Sequence, residues 1–154
     1  NAGMTKTMVR ATVKYAADHC DDPILRDALL DVWNTPVTPE LLPLSQSGEL
    51  LQKSEDSVGP YDLQDFFLHH LVRRGGKPEK VLRLAEYVYG DEYDHETLVK
   101  WLRSYYVRLF SQQFKRSCTA DGPDVVGFTF SPRDGHKMPS DTDGNLWLDV
   151  VDTL

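Results

Sequence analysis

Four cations, Lys115, Arg116, Arg133 and Lys137, are threaded through the stretch from Gln113 to Asp141, QFKRSCTADGPDVVGFTFSPRDGHKMPSD. Arginine meets two phosphate oxygens through a planar fork, and lysine supplies a less directional charge. Together the four could enclose a polyanion. Asp121, Asp124, Asp134 and Asp141 lie in the same stretch, so it is no uniform basic patch. It follows a strongly patterned helix yet reads as neither helix nor short turn, and an irregular segment of that length needs a reason, either binding or disorder. For Lys115 and Arg116 the plain alternative is a place at the helix C-terminus, where the dipole favours cations.

The carboxylates offer less. Glu55 and Asp56 precede Gly59-Pro60-Tyr61, where an acidic side chain can accept the orphan N–H groups of a helix start. Asp65, in QDFF, is either a polar ligand contact or a solvent-facing helical residue. Two adjacent carboxylates do not make an octahedral magnesium site. His69, His70, His95 and His136 lack the cysteine or carboxylate framework that would close a zinc site. Thr5-Lys6-Thr7 reads first as a helix cap. Tyr105 and Tyr106, between Trp101 and Phe110, read as packing residues.

Composition bounds the rest. With 154 residues and 40% apolar content the chain can build one domain with a real core, despite a formal charge of -7. That acidity argues against a nucleic-acid surface, although a substrate site can be locally basic. Cys20 and Cys118 form no paired motif and read as reduced thiols. No apolar run spans a bilayer and no secretory segment is evident, which predicts a cytoplasmic protein with no membrane partner. Asn1-Ala2 reads as a cloning remnant ahead of Gly3 or Met4, as in a chain cut from a longer protein.

The elements that must hold these residues are helical. Thr5 or Thr7 caps a helix to about His19, with Val9, Val13, Ala16 and Ala17 on one face. Asp22-Pro23 opens a second, whose apolar set is Ile24, Leu25, Ala28, Leu29 and Val32; proline suits a first helical turn, and Thr35-Pro36 stops it. Residues 35–59 form a connector that Leu41, Leu42, Leu50 and Leu51 pin to the body. Pro60 reopens helix, with Leu63, Phe66, Phe67, His70 and Leu71 on its apolar face, and Gly75-Gly76 ends it. Pro78 starts another helix to Gly90. The last runs from about His95 to Phe114 through Leu98, Trp101, Leu102, Tyr105, Leu109 and Phe110. The prediction is an all-α fold of about five helices with a long irregular connector and an irregular C-terminal segment.

Several pieces, in this order, resemble the C-terminal end of the glutamine-dependent NAD synthetases: GMTKTMVRATVKYA at 3–16, TPVTPELLP at 35–43, QKSEDSVGPYDLQDFFLHHLVRRG at 52–75, and QFKRSC followed by DGP, SPRDG and HKMPSD. The resemblance implies a helical portion at residues 3–114, a substrate-proximal loop and tail at 115–154, and a parallel α/β ATP-binding core that this piece packs on. The family's Ser-Gly-Gly phosphate loop does not occur here, nor does its upstream amidohydrolase motif, which uses Glu, Lys and Cys.

By resemblance, Lys115 and Arg116 sit beside the phosphates of nicotinic acid adenine dinucleotide, with Arg133 and Lys137 enclosing the same polyanion. The smaller ammonia-dependent enzymes place a histidine before this Lys-Arg pair; Phe114 stands there, which favours the glutamine-dependent comparison. Glu55, Asp56 and Asp65 are implied contacts to substrate hydroxyls or polar ring atoms, and Thr5 and Lys6 lie near ATP. No catalytic residue or metal ligand is assigned within this chain. The intact enzyme, expected to be a homo-oligomer, would use ATP and Mg²⁺ to adenylate the substrate carboxylate, and glutamine-derived ammonia would displace AMP to give NAD. This chain alone would bind no cofactor and be inactive. The reading from another class is a helical protein-interaction module whose exposed aromatic faces recruit a partner.

Overall fold

The computed structural model describes residues 3–36, 54–122, 124–133 and 135–154, without the side chains of Ser54 and Asp56. The pinning expected of Leu41, Leu42, Leu50 and Leu51 therefore lies outside the described residues. Those described form helices and irregular segments, with no strand among them. The chain builds two compact units, one from Thr5–Tyr61 and one containing Asp62–Leu154.

In the first unit α1 (Lys6–Asp18) packs against α2 (Pro23–Asn34). Thr5 caps α1, its hydroxyl accepting the Met8 N–H at 3.4 Å. The Asp22 carboxylate caps α2 through the Ile24 N–H at 2.9 Å. Trp33 sits under the cationic groups of Arg10 and Lys14, 5.0 and 5.8 Å from the ring centre. Burial is thin, however. Ala17 is enclosed, but Ile24 and Val32 are 81% and 61% exposed, and Leu25 is exposed as well. Most of the apolar set expected to bury α2 thus faces outward; among the described residues α1 is the helix that packs against it. The short α3 (Ser54–Val58) also belongs to this unit.

The second unit holds the core. Helix α4 (Tyr61–Phe67) runs on into a π-helical turn, Leu68–Arg73, and is followed by α5 (Pro78–Tyr89) and α6 (His95–Ser111). Leu63, Phe67, Leu71, Val81, Leu82, Ala85, Leu98 and Leu102 form one buried cluster with Tyr105, Tyr106, Phe110 and Val151. The heptad-like spacing of α6 delivers Leu98, Leu102 and Tyr105 to one face. Both tyrosines are buried, as packing residues should be. Gly75 ends the π turn at φ 63°, a left-handed conformation that glycine adopts without strain. Its neighbour Gly76 donates its N–H to the His70 carbonyl at 2.8 Å.

Beyond the five expected helices stand α3 and two more short ones, α7 (Gln113–Ser117) and α8 (Asn145–Val151). The last long helix stops at Ser111, not Phe114, and the chain breaks direction at Gln112 before α7 begins. Helix α8 returns across α5 and α6. Val151 enters the core there, and Arg103 grips Asp152 through Nε at 2.6 Å. Gly144 starts this return against Phe110, whose ring would lie 2.4 Å from any added Cβ.

Candidate functional site

The break at Gln112 decides where the Lys115-Arg116 pair goes. Within α7 successive side chains diverge by about 100°, so the two neighbours meet different surroundings. Lys115 is exposed, its ammonium 5.9 Å from the centre of the Phe114 ring. Arg116 turns inward and is half-buried. Its Nε donates to the Gln113 amide oxygen at 2.9 Å, and a terminal nitrogen donates to the Leu109 carbonyl. The guanidinium also lies over Phe130, 5.2 Å from the ring centre. Burial lowers its pKa, with Tyr105 opposing. The pair expected to be exposed together at a helix end is therefore divided.

Gln113 is the residue the sequence did not single out. It is buried, and its amide nitrogen donates to the Met138 carbonyl at 2.9 Å. Ser140 reaches the Ser117 hydroxyl at 2.9 Å nearby. Between these ties the loop folds on itself. Thr129 and Ser131 are buried, the His136 N–H donates to the Thr129 carbonyl at 2.8 Å, and the Gly135 N–H donates to the Ser131 carbonyl at 3.0 Å. A Cβ on Gly135 would fall 1.8 Å from the Thr129 oxygen, so the approach requires glycine. His136 packs by Phe128 and Phe130; burial first and then Arg116 lower its pKa.

The remaining candidates are distributed. Arg133 pairs with Asp121 at 2.6 Å in an exposed contact. Lys137 is exposed and lines a depression of about 290 Å³ with Gln113, Pro132, Met138 and Pro139. A larger open groove of about 670 Å³ runs along α6 beside Lys100, Arg103, Val107 and Ser111. None of the candidate residues lines it. Asp65, on α4, is half-buried and contributes to raising the Tyr105 and Tyr89 pKa values, for which burial is the larger cause.

Glu55, Thr5 and Lys6 belong to the first unit. The Glu55 carboxylate accepts the Tyr61 N–H at 3.1 Å, the helix-start contact that its position allows. Thr5 caps α1 and Lys6 is exposed. The Asp56 side chain lies outside the described residues. Among the described residues no three His, Cys, Asp or Glu side chains gather as a metal site. No helix among them is long and apolar enough to cross a membrane.

No family model matches the chain. It is 34% identical over 172 aligned residues to the glutamine-dependent NAD(+) synthetase of Mycobacterium tuberculosis, with 99% of this chain covered. The chain is a relative of part of the glutamine-dependent NAD(+) synthetases. The Mycobacterium leprae synthetase is 33% identical over the same length. In both cases the chain spans about a quarter of the synthetase. The all-helical architecture and irregular C-terminal segment agree with the resemblance drawn from the motifs.

Proposed function

We propose that this chain is the C-terminal part of the synthetase domain of a glutamine-dependent NAD synthetase, where it helps hold nicotinic acid adenine dinucleotide. The observation that carries the proposal is the 34% identity across 99% of the chain. Two further facts support it. The match takes in only 25% of the relative, and the apolar side chains left exposed on α2 suit a surface covered by more protein. The covering element we propose is the α/β core, with an amidohydrolase domain in the same protein.

In the intact enzyme ATP would adenylate the substrate carboxylate, whose own oxygen is a poor leaving group, and glutamine-derived ammonia would displace AMP. The phosphoryl and metal chemistry is proposed to lie with the α/β core, as the family resemblance implies. What this chain contributes is charge and shape beside the dinucleotide. The resemblance sets the Lys115-Arg116 pair, with Arg133 and Lys137, near the diphosphate; of these Lys115 and Lys137 are exposed to offset its charge, while Arg116 acts beside it through its neighbours. Glu55, Asp56 and Asp65 are the proposed polar contacts, and Thr5 and Lys6 approach the ATP side.

Replacing Lys115 and Arg116 together by alanine in the full-length enzyme tests the assignment. Poor NAD formation with normal glutamine hydrolysis is the expected outcome. Unchanged kinetics on the deamido substrate, in a natively stable variant, would remove the pair from the site.

A further inference from the structure

Gln113 is 3% exposed although it is polar and sits where the chain leaves α6. Burying a primary amide is costly unless its donors and acceptor are used. Here both ends are engaged. The oxygen accepts from Arg116 and the nitrogen donates to the Met138 carbonyl, each at 2.9 Å. Arg116 in turn reaches back to the Leu109 carbonyl near the end of α6 and forward over the Phe130 ring. One amide thereby joins the helix end, the short helix after it and two points of the loop. Lys115 and Lys137 stay exposed on either side of this junction in the chain.

We propose that Gln113 is a positioning residue: with Arg116 it latches the loop onto α7 at Phe130 and Met138, and the latch sets Lys115 and Lys137 outward as the cations that meet substrate phosphate. This rests on the dinucleotide role proposed above and deepens it by dividing the labour. Arg116 is spent on the loop, and the flanking lysines serve the ligand. Leucine at 113 would keep the bulk and lose both hydrogen bonds, while lysine at 116 would keep the charge and lose the fork that spans Gln113 and Leu109.

The test has two arms. Hydrogen exchange on the full-length enzyme reads the latch: in Gln113→Leu and in Arg116→Lys, the amides of residues 128–131, 133 and 135–138 should exchange about tenfold faster than in the parent, with Lys115→Ala unchanged. Parent-like exchange in both variants, with helical content retained, would overturn the latch. Steady-state kinetics on the full-length enzyme read the positioning: Gln113→Leu should raise KM for the deamido dinucleotide about fivefold or more while kcat and glutamine hydrolysis hold. Faster exchange with unmoved KM would overturn the positioning role. Should Lys115→Ala itself leave KM unmoved, it is the dinucleotide reading that fails, whatever the exchange data show.

Discussion

Arg116 and Phe130 are packed as cation over ring, 5.2 Å apart, beside the Gln113–Met138 and Ser140–Ser117 hydrogen bonds that also tie this segment to α7. Charged hydrogen bonds contribute roughly 1.5–3 kcal/mol and a partly buried cation–ring contact about 1 kcal/mol, not additively. Arg116→Ala should therefore destabilise the chain by about 2 kcal/mol. The exposed neighbour Lys115 should cost no more than about 0.5 kcal/mol when replaced by alanine. Urea unfolding of the two variants side by side measures the difference, and equal costs would contradict the division of the pair.

Phe67, at the end of α4, is fully enclosed in the core cluster and meets Tyr105 of α6 edge-on, ring centres 5.9 Å apart. Phe67→Ala should cost about 3–5 kcal/mol through lost burial and a residual cavity. Ile24→Ala removes a side chain that is 81% exposed, and the chain's stability should barely change. Thermal unfolding of both variants checks this; a large loss for Ile24→Ala would mean that α2 is covered within the chain itself.

A pH dependence follows from His95. Its Nδ1 meets the Glu86 carboxylate at 2.7 Å and its Nε2 the Leu154 backbone oxygen at 3.2 Å; the Glu86 bond first and the Leu154 bond second raise its pKa. A histidine raised above about 6.5 in the fold gives its full stabilisation below that pH and loses it as pH climbs through the raised value. His70 and His136 are lowered, burial being the main cause, and act with the opposite sign, losing stability as pH falls. The informative quantity is thus the difference between parent and His95→Ala. It should shrink from about pH 6 to about pH 9, and a constant or widening gap would contradict the clasp.

Gly135→Ala should loosen the loop without unfolding the helices. The added Cβ meets the Thr129 carbonyl 1.8 Å away, so the turn must open and the His136–Thr129 hydrogen bond must lengthen or break. Amide exchange at His136 should accelerate while far-ultraviolet dichroism stays at its parent value. Slow exchange at that amide would show that the turn accommodates a side chain.

The long helices were legible because apolar spacing, Asp22-Pro23, Lys77-Pro78 and Gly75-Gly76 are local signals, and local signals suffice where propensity and packing agree. The break at Gln112 left no trace, since neither glycine nor proline stands there and the apolar period runs on to Phe114. Helix α8 is hard to read because seven residues are too few for a clear period; Leu148 and Val151, three apart, and Trp147 against Phe110 are its core-facing hints. At the site, the cations could be named from sequence but not separated. Which of Lys115 and Arg116 turns inward depends on Phe130, Gln113 and Leu109, whose meeting is set by tertiary packing. Gln113 itself carries no signal in one sequence, because a buried and an exposed glutamine look alike there.

As the proposed C-terminal part of an NAD-forming enzyme, this chain should be necessary for turnover but not sufficient for it. This expectation is tested most directly by assaying ATP-dependent conversion of nicotinic acid adenine dinucleotide to NAD, with ammonia supplied, for the 154-residue chain and for the full-length protein that contains it. The expected result is turnover by the full-length protein and none by the chain above a catalytically disabled control. Turnover by the chain alone, or a full-length protein that is folded yet forms no NAD from glutamine or ammonia, would contradict it.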